Sequence, residues 1–521
     1  MSLVGSTFAT YAKQMVVLPP IRRWFQRWEV YLTLISIVGM THYLFVRTLL
    51  GPLTSDERYF AHTVWMLRQG LDQYTDFYSN HLPVFFWLTE IIPASQPDDL
   101  SFVWWLRACG GVCAIIYAAL LFRLNPHRFW SLLPLLLVML VLGRMLEIRS
   151  DTVGLLLVNG AWWFLIRPYR SSRILLAAAL VGIATYFSAR AGVMAVGFAV
   201  TCLAIVYRER DRRTFLALLA IVLCYVATIG IAYLAAPVTF ELAVRFVFLD
   251  PLVLMPDVSL WQRVVGIDRS ILVGLIVLGL AGGVTARSLP IIGAVLAQIC
   301  LIVVDPSPFQ YVYGWSAIPV IAGIGLLPAF IAPLVAATLT VALAGLSIAY
   351  TISRGHTPPT GSFYRLTYDT RISGIDRLPT QRLLSLMVSG ERQQGLWNEL
   401  AVREQVCHRI PGEVLSTFAA HPICLRDSRY EWVGLTWPSI ATGQNTGNRS
   451  SFARIFQTDA PDLFVWQAPL TKQPLDAWVI DLLTDYEVGD GFAVRRGIAS
   501  SPSHSQRLAH SRPRSGSKAS R

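Results

Sequence analysis

Long apolar runs separated by short polar segments fill the first two thirds of the chain. Runs of about 18–25 residues are long enough to cross a ~30 Å hydrocarbon core as helices. They predict about eleven spans, at 28–48, 102–122, 129–146, 152–167, 173–189, 191–207, 214–235, 270–286, 289–304, 310–327 and 329–352. The pattern therefore predicts a polytopic α-helical membrane domain over residues 28–352.

The pattern changes after residue 352. Short β-type runs alternate with helical stretches such as 379–408 and 475–486, and this alternation predicts a small α/β domain over 353–497. The predicted strands are Glu413–Phe418, Pro422–Leu425, Asp462–Trp466 and Phe492–Arg495. Residues 1–27 form a basic, amphipathic N-terminus, and the acid-free segment 498–521 is predicted to be a disordered basic tail.

Composition agrees with this division, since hydrophobic residues make up 54% of the chain and charged residues only 15%. The net charge of +12 comes largely from arginines in alternate loops and in the tail. By the positive-inside rule, these loops and the N-terminus are cytoplasmic. The charge is thus explained by topology, and no nucleic-acid partner is predicted.

The remaining loops are acidic and are predicted to face outward, notably 49–101 and 236–269. An odd number of spans places the domain 353–497 on the same outward side. Arginine greatly outnumbers lysine, which is typical of a high-GC bacterial source. The predicted location is the bacterial inner membrane, with the C-terminal domain in the periplasm.

Two of the seven cysteines, Cys407 and Cys424, lie in this outward domain. An extracytoplasmic compartment permits a disulfide, but sequence spacing leaves the Cα distance open. No cysteine and histidine cluster has the spacing of a metal site.

The outward loop 49–101 contains the pattern of two interfacial helices. Apolar residues recur at helical spacing over 56–69, with Asp56 and Glu57 at the N-terminus and Gly70 at the end. A second apolar segment, Leu82–Ile92, is too short to span a membrane. The acidic pair is thereby predicted to lie at the outer membrane surface.

The sequence of this loop resembles the GT-C membrane glycosyltransferases, in particular the group of protein O-mannosyltransferases, lipid A aminoarabinose transferase and rhizobial galacturonosyltransferases. The similarity is carried by Asp56-Glu57, Leu67-Arg68-Gln69-Gly70, Asp76-Phe77-Tyr78-Ser79-Asn80-His81-Leu82-Pro83, Trp105-Leu106-Arg107, Glu147-Ile148-Arg149-Ser150-Asp151 and Pro308-Phe309-Gln310-Tyr311. It covers roughly residues 1–350 in pattern and topology. The chain lacks the basic residue that some members carry just before the tyrosine, and Asp305 stands nearby.

The resemblance implies a polyprenyl-phosphate or dolichyl-phosphate sugar donor and inverting transfer at the non-cytoplasmic face. A phosphate leaves as a stable anion, so this chemistry needs one carboxylate base and cationic groups for the phosphate. By resemblance, Asp56 is the base and Asp151 orients the acceptor or a metal. Glu57 orients an arginine or, with Asp56, binds a divalent cation.

Structural alternatives exist for each of these acids. Asp56 would also serve as an N-terminal helix cap, and Glu57 as a solvated interfacial charge. Asp151 is too short to reach water by snorkelling, which favours a position facing a cavity.

Donor phosphate or sugar binding is the role predicted for a second set of residues: Arg149, Arg190, His81, Arg107 and Tyr311. Anchoring at the membrane interface would also explain Arg149, Arg190 and Arg107. Arg107 could also neutralise Asp or Glu at the site. His81 could instead serve only as a helix-entry residue, and Tyr311 could belong to an aromatic belt.

The sequence therefore predicts a transferase that moves a sugar from a polyprenyl-phosphate donor to a cell-envelope lipid, glycan or protein. Two alternatives share the same carrier lipid: a lipid-linked sugar flippase or transporter, and a polysaccharide polymerase or ligase. A transporter should show intramembrane charges at helix breaks or repeated halves, and here the acidic first loop and the terminal α/β domain are not repeated in the sequence. Neither the sugar nor the acceptor is determined by the sequence.

Overall fold

The computed structural model describes residues 53, 55–77, 79, 81–89, 100–124, 149–249, 267–305, 310–327, 375–389, 396–410, 412–416, 423–427, 446–458, 460–466 and 477–497. Helices are numbered along this described chain. They are α1 Ser55–Arg68, α2 Val84–Thr89, α3 Phe102–Leu124, α4 Ser150–Ile166, α5 Ser171–Ala184, α6 Ala189–Glu209, α7 Arg212–Ala235, α8 Pro237–Val244, α9 Ile267–Thr285, α10 Leu289–Val304, α11 Ala317–Leu326, α12 Thr380–Ser389, α13 Leu396–Arg409, α14 Thr446–Thr458 and α15 Ala477–Leu482.

Seven predicted spans correspond to described helices, namely α3 to α7, α9 and α10. Within the described residues, α6 and α7 are long and apolar enough to cross a bilayer by themselves. The predicted spans 28–48, 129–146 and 329–352 lie outside the described residues, as do the predicted N-terminal segment 1–27 and tail 498–521.

The predicted span 310–327 is wrong as one continuous helix. A 3-10 helix over Gln310–Gly314 precedes α11, and two buried amides bond the backbone at the break. Asn159 donates to Gly314 O at 3.1 Å and accepts from Ile318 N at 2.9 Å. Gln298 donates to Val312 O at 2.7 Å. A broken helix is tolerated in an apolar environment because these side chains satisfy its backbone groups.

Helices α4, α5, α6, α9, α10 and α11 share one buried core. Close approach of α9 and α11 requires glycine, since a Cβ on Gly282 would lie 1.9 Å from Gly323 O. Small residues at such crossings are the usual packing solution where lipid supplies no hydrophobic driving force. By contrast, α7 exposes many apolar side chains, as expected of a helix that faces lipid.

The C-terminal region contains a five-stranded sheet. Its strands are β1 Glu413–Ser416, β2 Arg426–Asp427, β3 Leu463–Val465, β4 Tyr486–Gly489 and β5 Phe492–Arg495, in the order β2-β1-β3-β5-β4. Strand β1 runs parallel to β2 and β3, whereas β5 runs antiparallel to β3 and β4. Alternating residues face opposite cores, one shared with α12 and α13 and the other with α14 and α15.

This sheet differs in detail from the predicted strands. The strand expected at Pro422–Leu425 is instead β2, which begins at Arg426, the residue after the predicted end. The helix expected over 475–486 ends at Leu482, and β4 follows it. Cys407 and Cys424 form a disulfide with a Cα–Cα distance of 5.8 Å, so the two cysteines whose distance the sequence left open are bonded.

The loop 49–101, which is predicted to face outward, contains α1 and α2, close to the predicted helices. Gly70 ends the α1 segment with a φ of +79°, a conformation that favours glycine, and its N–H donates to Leu67 O at 2.9 Å. Helix α2 is shorter than the predicted Leu82–Ile92, and residues 90–99 lie outside the described residues.

Candidate active site

Charged side chains meet where three helices begin. Asp56 lies in the first turn of α1 and Asp151 in the first turn of α4, with Arg149 directly before α4. Arg190 lies in the first turn of α6, whose N-cap is Ser188. Asp305 follows the end of α10. Segments from four helices therefore contribute to one polar cluster.

Asp56 forms an ion pair with Arg149. The Asp56 side chain retains 17% exposure, compared with 5% for Arg149. Arg149 Nη2 also lies 3.6 Å from Asp151 Oδ2. The guanidinium thus bridges the predicted base and the second carboxylate, and the base is the more exposed partner of the Asp56–Arg149 pair.

Asp151 has two further partners. Ser188 Oγ donates to Oδ1 at 2.5 Å, and Arg190 Nη1 donates to Oδ2 at 2.9 Å. Arg190 Nε donates to Asp305. The result is a chain of alternating charges from Asp56 through Arg149, Asp151 and Arg190 to Asp305. We call these five residues the ionic chain.

Glu57 and Arg107 form a separate, bidentate pair. Arg107 Nε and Nη2 donate to the two Glu57 oxygens at 3.0 and 2.8 Å. Both side chains are almost completely buried, with exposures of 2% and 1%. The two adjacent acids of α1 thus have different environments, and Glu57 connects α1 to α3. The predicted catalytic role of Glu57 and donor-binding role of Arg107 stay predictions.

His81 lies beside the ionic chain. Its ring centroid is 4.6 Å from that of Phe60, and its carbonyl accepts a 2.6 Å hydrogen bond from Tyr74 OH. Burial lowers the pKa of His81 to about 4, and Arg149 also lowers it, while Asp151 opposes the shift. The imidazole is therefore neutral at pH 7 and can act as a hydrogen-bonding group rather than as a cation.

Tyr311 lies in the 3-10 helix Gln310–Gly314, so the structure places its backbone at the break before α11. The 3-10 helix is attached to α10 by Gln298 and to α4 by Asn159. Helix α4 also carries Asp151, and Asp305 directly follows α10. The predicted role of Tyr311 in binding the donor stays a prediction.

Among the described residues, no group of three or more histidines, cysteines and acids is placed to hold a metal ion. Asp56 and Glu57, the pair named as metal candidates, instead pair with Arg149 and Arg107. A divalent cation at these two acids stays a prediction.

Sequence reasoning missed two members of this site. Ser188 was not selected, although a serine immediately before a helix is a recognisable N-cap signal. Asp305 was noted only as a departure from the family pattern. Its pairing with Arg190 joins residues 115 positions apart, which no local pattern reveals.

Comparison with solved structures identifies the architecture. The match is the crystal structure of ArnT from Cupriavidus metallidurans bound to undecaprenyl phosphate, with a TM-score of 0.51 at 14% identity, covering 91% of this chain and 99% of that one. The chain has the fold of ArnT. ArnT in the apo state also matches, at 14% identity with a TM-score of 0.48, covering 90% of this chain and 99% of that one.

ArnT is the lipid A aminoarabinose transferase, a GT-C protein. The resemblance inferred from the first outward loop is thus confirmed at the level of fold, and the polytopic membrane class is confirmed with it. No protein-family model and no curated protein matches the sequence. The similarity to ArnT covers nearly all of both chains.

Proposed function

We propose that the protein is an inverting glycosyltransferase that moves a sugar from a polyprenyl-phosphate donor to a cell-envelope acceptor. The observation that carries this proposal is the pairing of Asp56 with Arg149 at one end of an ionic chain, in a chain with the ArnT fold. The ArnT crystal structure contains undecaprenyl phosphate, which supports a carrier lipid of the same class here.

The reaction requires a proton to leave the acceptor as its oxygen bonds to the anomeric carbon. In the proposed mechanism, the Asp56 carboxylate accepts that proton, and the bond from the anomeric carbon to the phosphate oxygen breaks with its electron pair on the phosphate. Attack opposite to the leaving group inverts the anomeric carbon. Asp56 suits this role because its side chain is the more exposed partner of its ion pair.

The arginines are suited to the developing phosphate charge. A guanidinium has five donors in a planar fork, so Arg149 can hold Asp56 and still donate to a phosphate oxygen. Arg190 is 18% exposed and is held by two carboxylates, Asp151 and Asp305. His81, being neutral, can donate one hydrogen bond to phosphate or sugar without adding charge.

The proposed location is the bacterial inner membrane, with the N-terminus cytoplasmic and the ionic chain on the periplasmic side. Contacts between α1 and the C-terminal region support this orientation, since both must then lie on one side of the membrane. The proposed acceptor belongs to one of three envelope classes: a lipid such as lipid A, a glycan, or a protein.

The experiment uses the purified full-length protein in nanodiscs with undecaprenyl-phosphate sugars and envelope lipid extract. Product formation and release of undecaprenyl phosphate are followed by mass spectrometry. Asp56→Asn should reduce transfer by about 10²–10⁴-fold, the usual contribution of a general base. Asp72→Asn is the matched control because Asp72 is an exposed acid of the same loop and should transfer like wild type.

Wild-type transfer by Asp56→Asn would refute the role of Asp56. Movement of the lipid-linked sugar across the bilayer without a new glycosidic bond would indicate a transporter. Growth of a repeating polymer would indicate a polymerase or ligase.

A further inference from the structure

Three consecutive charged residues begin α1, and each pairs with a different element. Asp56 pairs with Arg149 and Glu57 with Arg107. Arg58 pairs with Glu399 of α13, with Nε 2.8 Å from Oε1. Consecutive helical residues point about 100° apart, so these contacts hold the start of α1 from three directions. Of these three partners, Glu399 is the one that comes from the C-terminal region.

Glu399 also fixes the chain just before α1. Its Oε2 accepts a 2.7 Å hydrogen bond from Leu53 N, two residues before the helix begins. Its Oε1 accepts from Arg58, and from Arg403 Nε and Nη2 at 3.2 and 3.1 Å. Burial opposes ionisation of Glu399, but Arg58, Arg403 and the Leu53 N–H hold its pKa below the usual value. The buried side chain is therefore a carboxylate.

A second contact joins the same two regions one turn further along α1. His62 Nδ1 donates to Ile423 O at 2.7 Å. Ile423 precedes Cys424, whose disulfide partner Cys407 lies on α13 with Glu399. Apolar residues of the loop and of the C-terminal region also share one buried cluster, including Tyr59, Phe60, Leu400, Ile423 and Cys424. The disulfide thus links the two points of contact.

We propose that Glu399 is a positioning residue for sugar transfer, through which the C-terminal domain holds the Asp56-bearing end of α1. The inference rests on the proposed function of Asp56. Asp56 lies between the two residues that Glu399 holds, Leu53 through its backbone N–H and Arg58 through its side chain. A shift there moves the Asp56 carboxylate relative to its substrates, and a 1 Å misplacement of a reacting group can cost about 10²-fold in rate.

The test compares Glu399→Gln with wild type in steady-state transfer and in binding of undecaprenyl phosphate. Glutamine keeps the size of the side chain but removes the charge that holds Arg58 and Arg403. We expect kcat to fall about ten- to a hundredfold, with undecaprenyl phosphate affinity within about twofold of wild type. Asp462→Asn is the matched control, since it removes a carboxylate paired with Arg495 in the same domain.

Two further measurements separate positioning from general stability. Arg58→Lys keeps the charge but loses the guanidinium geometry, and should show an intermediate kcat with an unchanged Tm. Hydrogen exchange of the peptide covering 55–68 should rise in Glu399→Gln and not in Asp462→Asn.

Wild-type kcat in folded Glu399→Gln would overturn the proposal, as would a kcat loss equal to that of Asp462→Asn. If Glu399→Gln fails to fold, wild-type kcat in Arg58→Lys overturns it instead. If the wild-type protein transfers no sugar, the proposed function fails. In that case, unchanged hydrogen exchange over 55–68 in Glu399→Gln would separately refute the proposal that Glu399 holds the start of α1 in place.

Discussion

The buried pair of Glu57 and Arg107 gives a sharp test of which acid of α1 is structural. Replacing Glu57 alone with leucine leaves the Arg107 charge buried without its carboxylate partner. Breaking a buried ion pair in this way costs about 3–5 kcal/mol. The exposures of 2% and 1% place this pair in the fully buried class, so solvent offers little compensation.

The double variant Glu57→Leu/Arg107→Met removes both charges and keeps similar apolar volume. Replacing a buried pair as a whole is often neutral or stabilising by about 1–4 kcal/mol. Loss of an acid in the first turn of α1 subtracts about 0.3–1 kcal/mol in both variants, so it cancels in the comparison. The double variant should therefore be at least about 3 kcal/mol more stable than the single variant.

Free energies of unfolding are measured by denaturant titration in mixed micelles, alongside sugar transfer. We expect the double variant to fold and to retain transfer, because Glu57 and Arg107 form a bidentate pair that includes no member of the ionic chain. Equal stability of the single and double variants would refute the pairing argument. A double variant that folds like wild type but transfers no sugar would instead support the catalytic role predicted for Glu57.

Two further predictions concern His81 and Asp305. His81 has a pKa near 6.5 in the unfolded chain and about 4 in the folded protein. The unfolded chain therefore binds the proton first as pH decreases, and the His81 contribution to the free energy of unfolding falls between pH 6.5 and pH 4 and is constant above this window. Melting temperatures at about pH 5 and about pH 7.5 should accordingly differ more for wild type than for His81→Gln, and an equal difference would contradict the assignment. Asp305→Asn removes one of the two carboxylates that hold Arg190, leaving more of the guanidinium for phosphate. Undecaprenyl phosphate should bind about tenfold more tightly, as measured by fluorescence titration, and weaker binding would show that Asp305 supports rather than competes with the phosphate.

The parts of the fold that could be predicted are those with a local physical cause. A long apolar run must form a helix in lipid because its backbone has no other hydrogen-bond partners, and α4, α6 and α7 follow from this. Helix α1 was predictable from its apolar spacing and from Gly70, which has a positive φ. The break before α11 was not predictable, because Asn159 and Gln298 come from other helices.

The candidate site divides in the same way. Asp56, Asp151, Arg149 and Arg190 could be selected as unusual charges at the ends of apolar runs, and the structure joins all four in the ionic chain. The sequence set Glu57 apart from Asp56, as an acid that could orient an arginine or bind a divalent cation. The structure pairs Glu57 with Arg107.

The sequence by itself determined the apolar helices, the acidic character of the loop 49–101 and the charged residues at the ends of apolar runs, since these depend on local hydrophobicity and spacing. Tertiary structure decided which charges meet. Asp56 and Glu57 are neighbours with the same chemistry, yet burial and partners distinguish them. Arg58 and Glu399 are 341 positions apart, and only folding brings them to 2.8 Å. Electrostatic pairing depends on distance in space, and that distance is set by the packing of whole helices rather than by the order of residues.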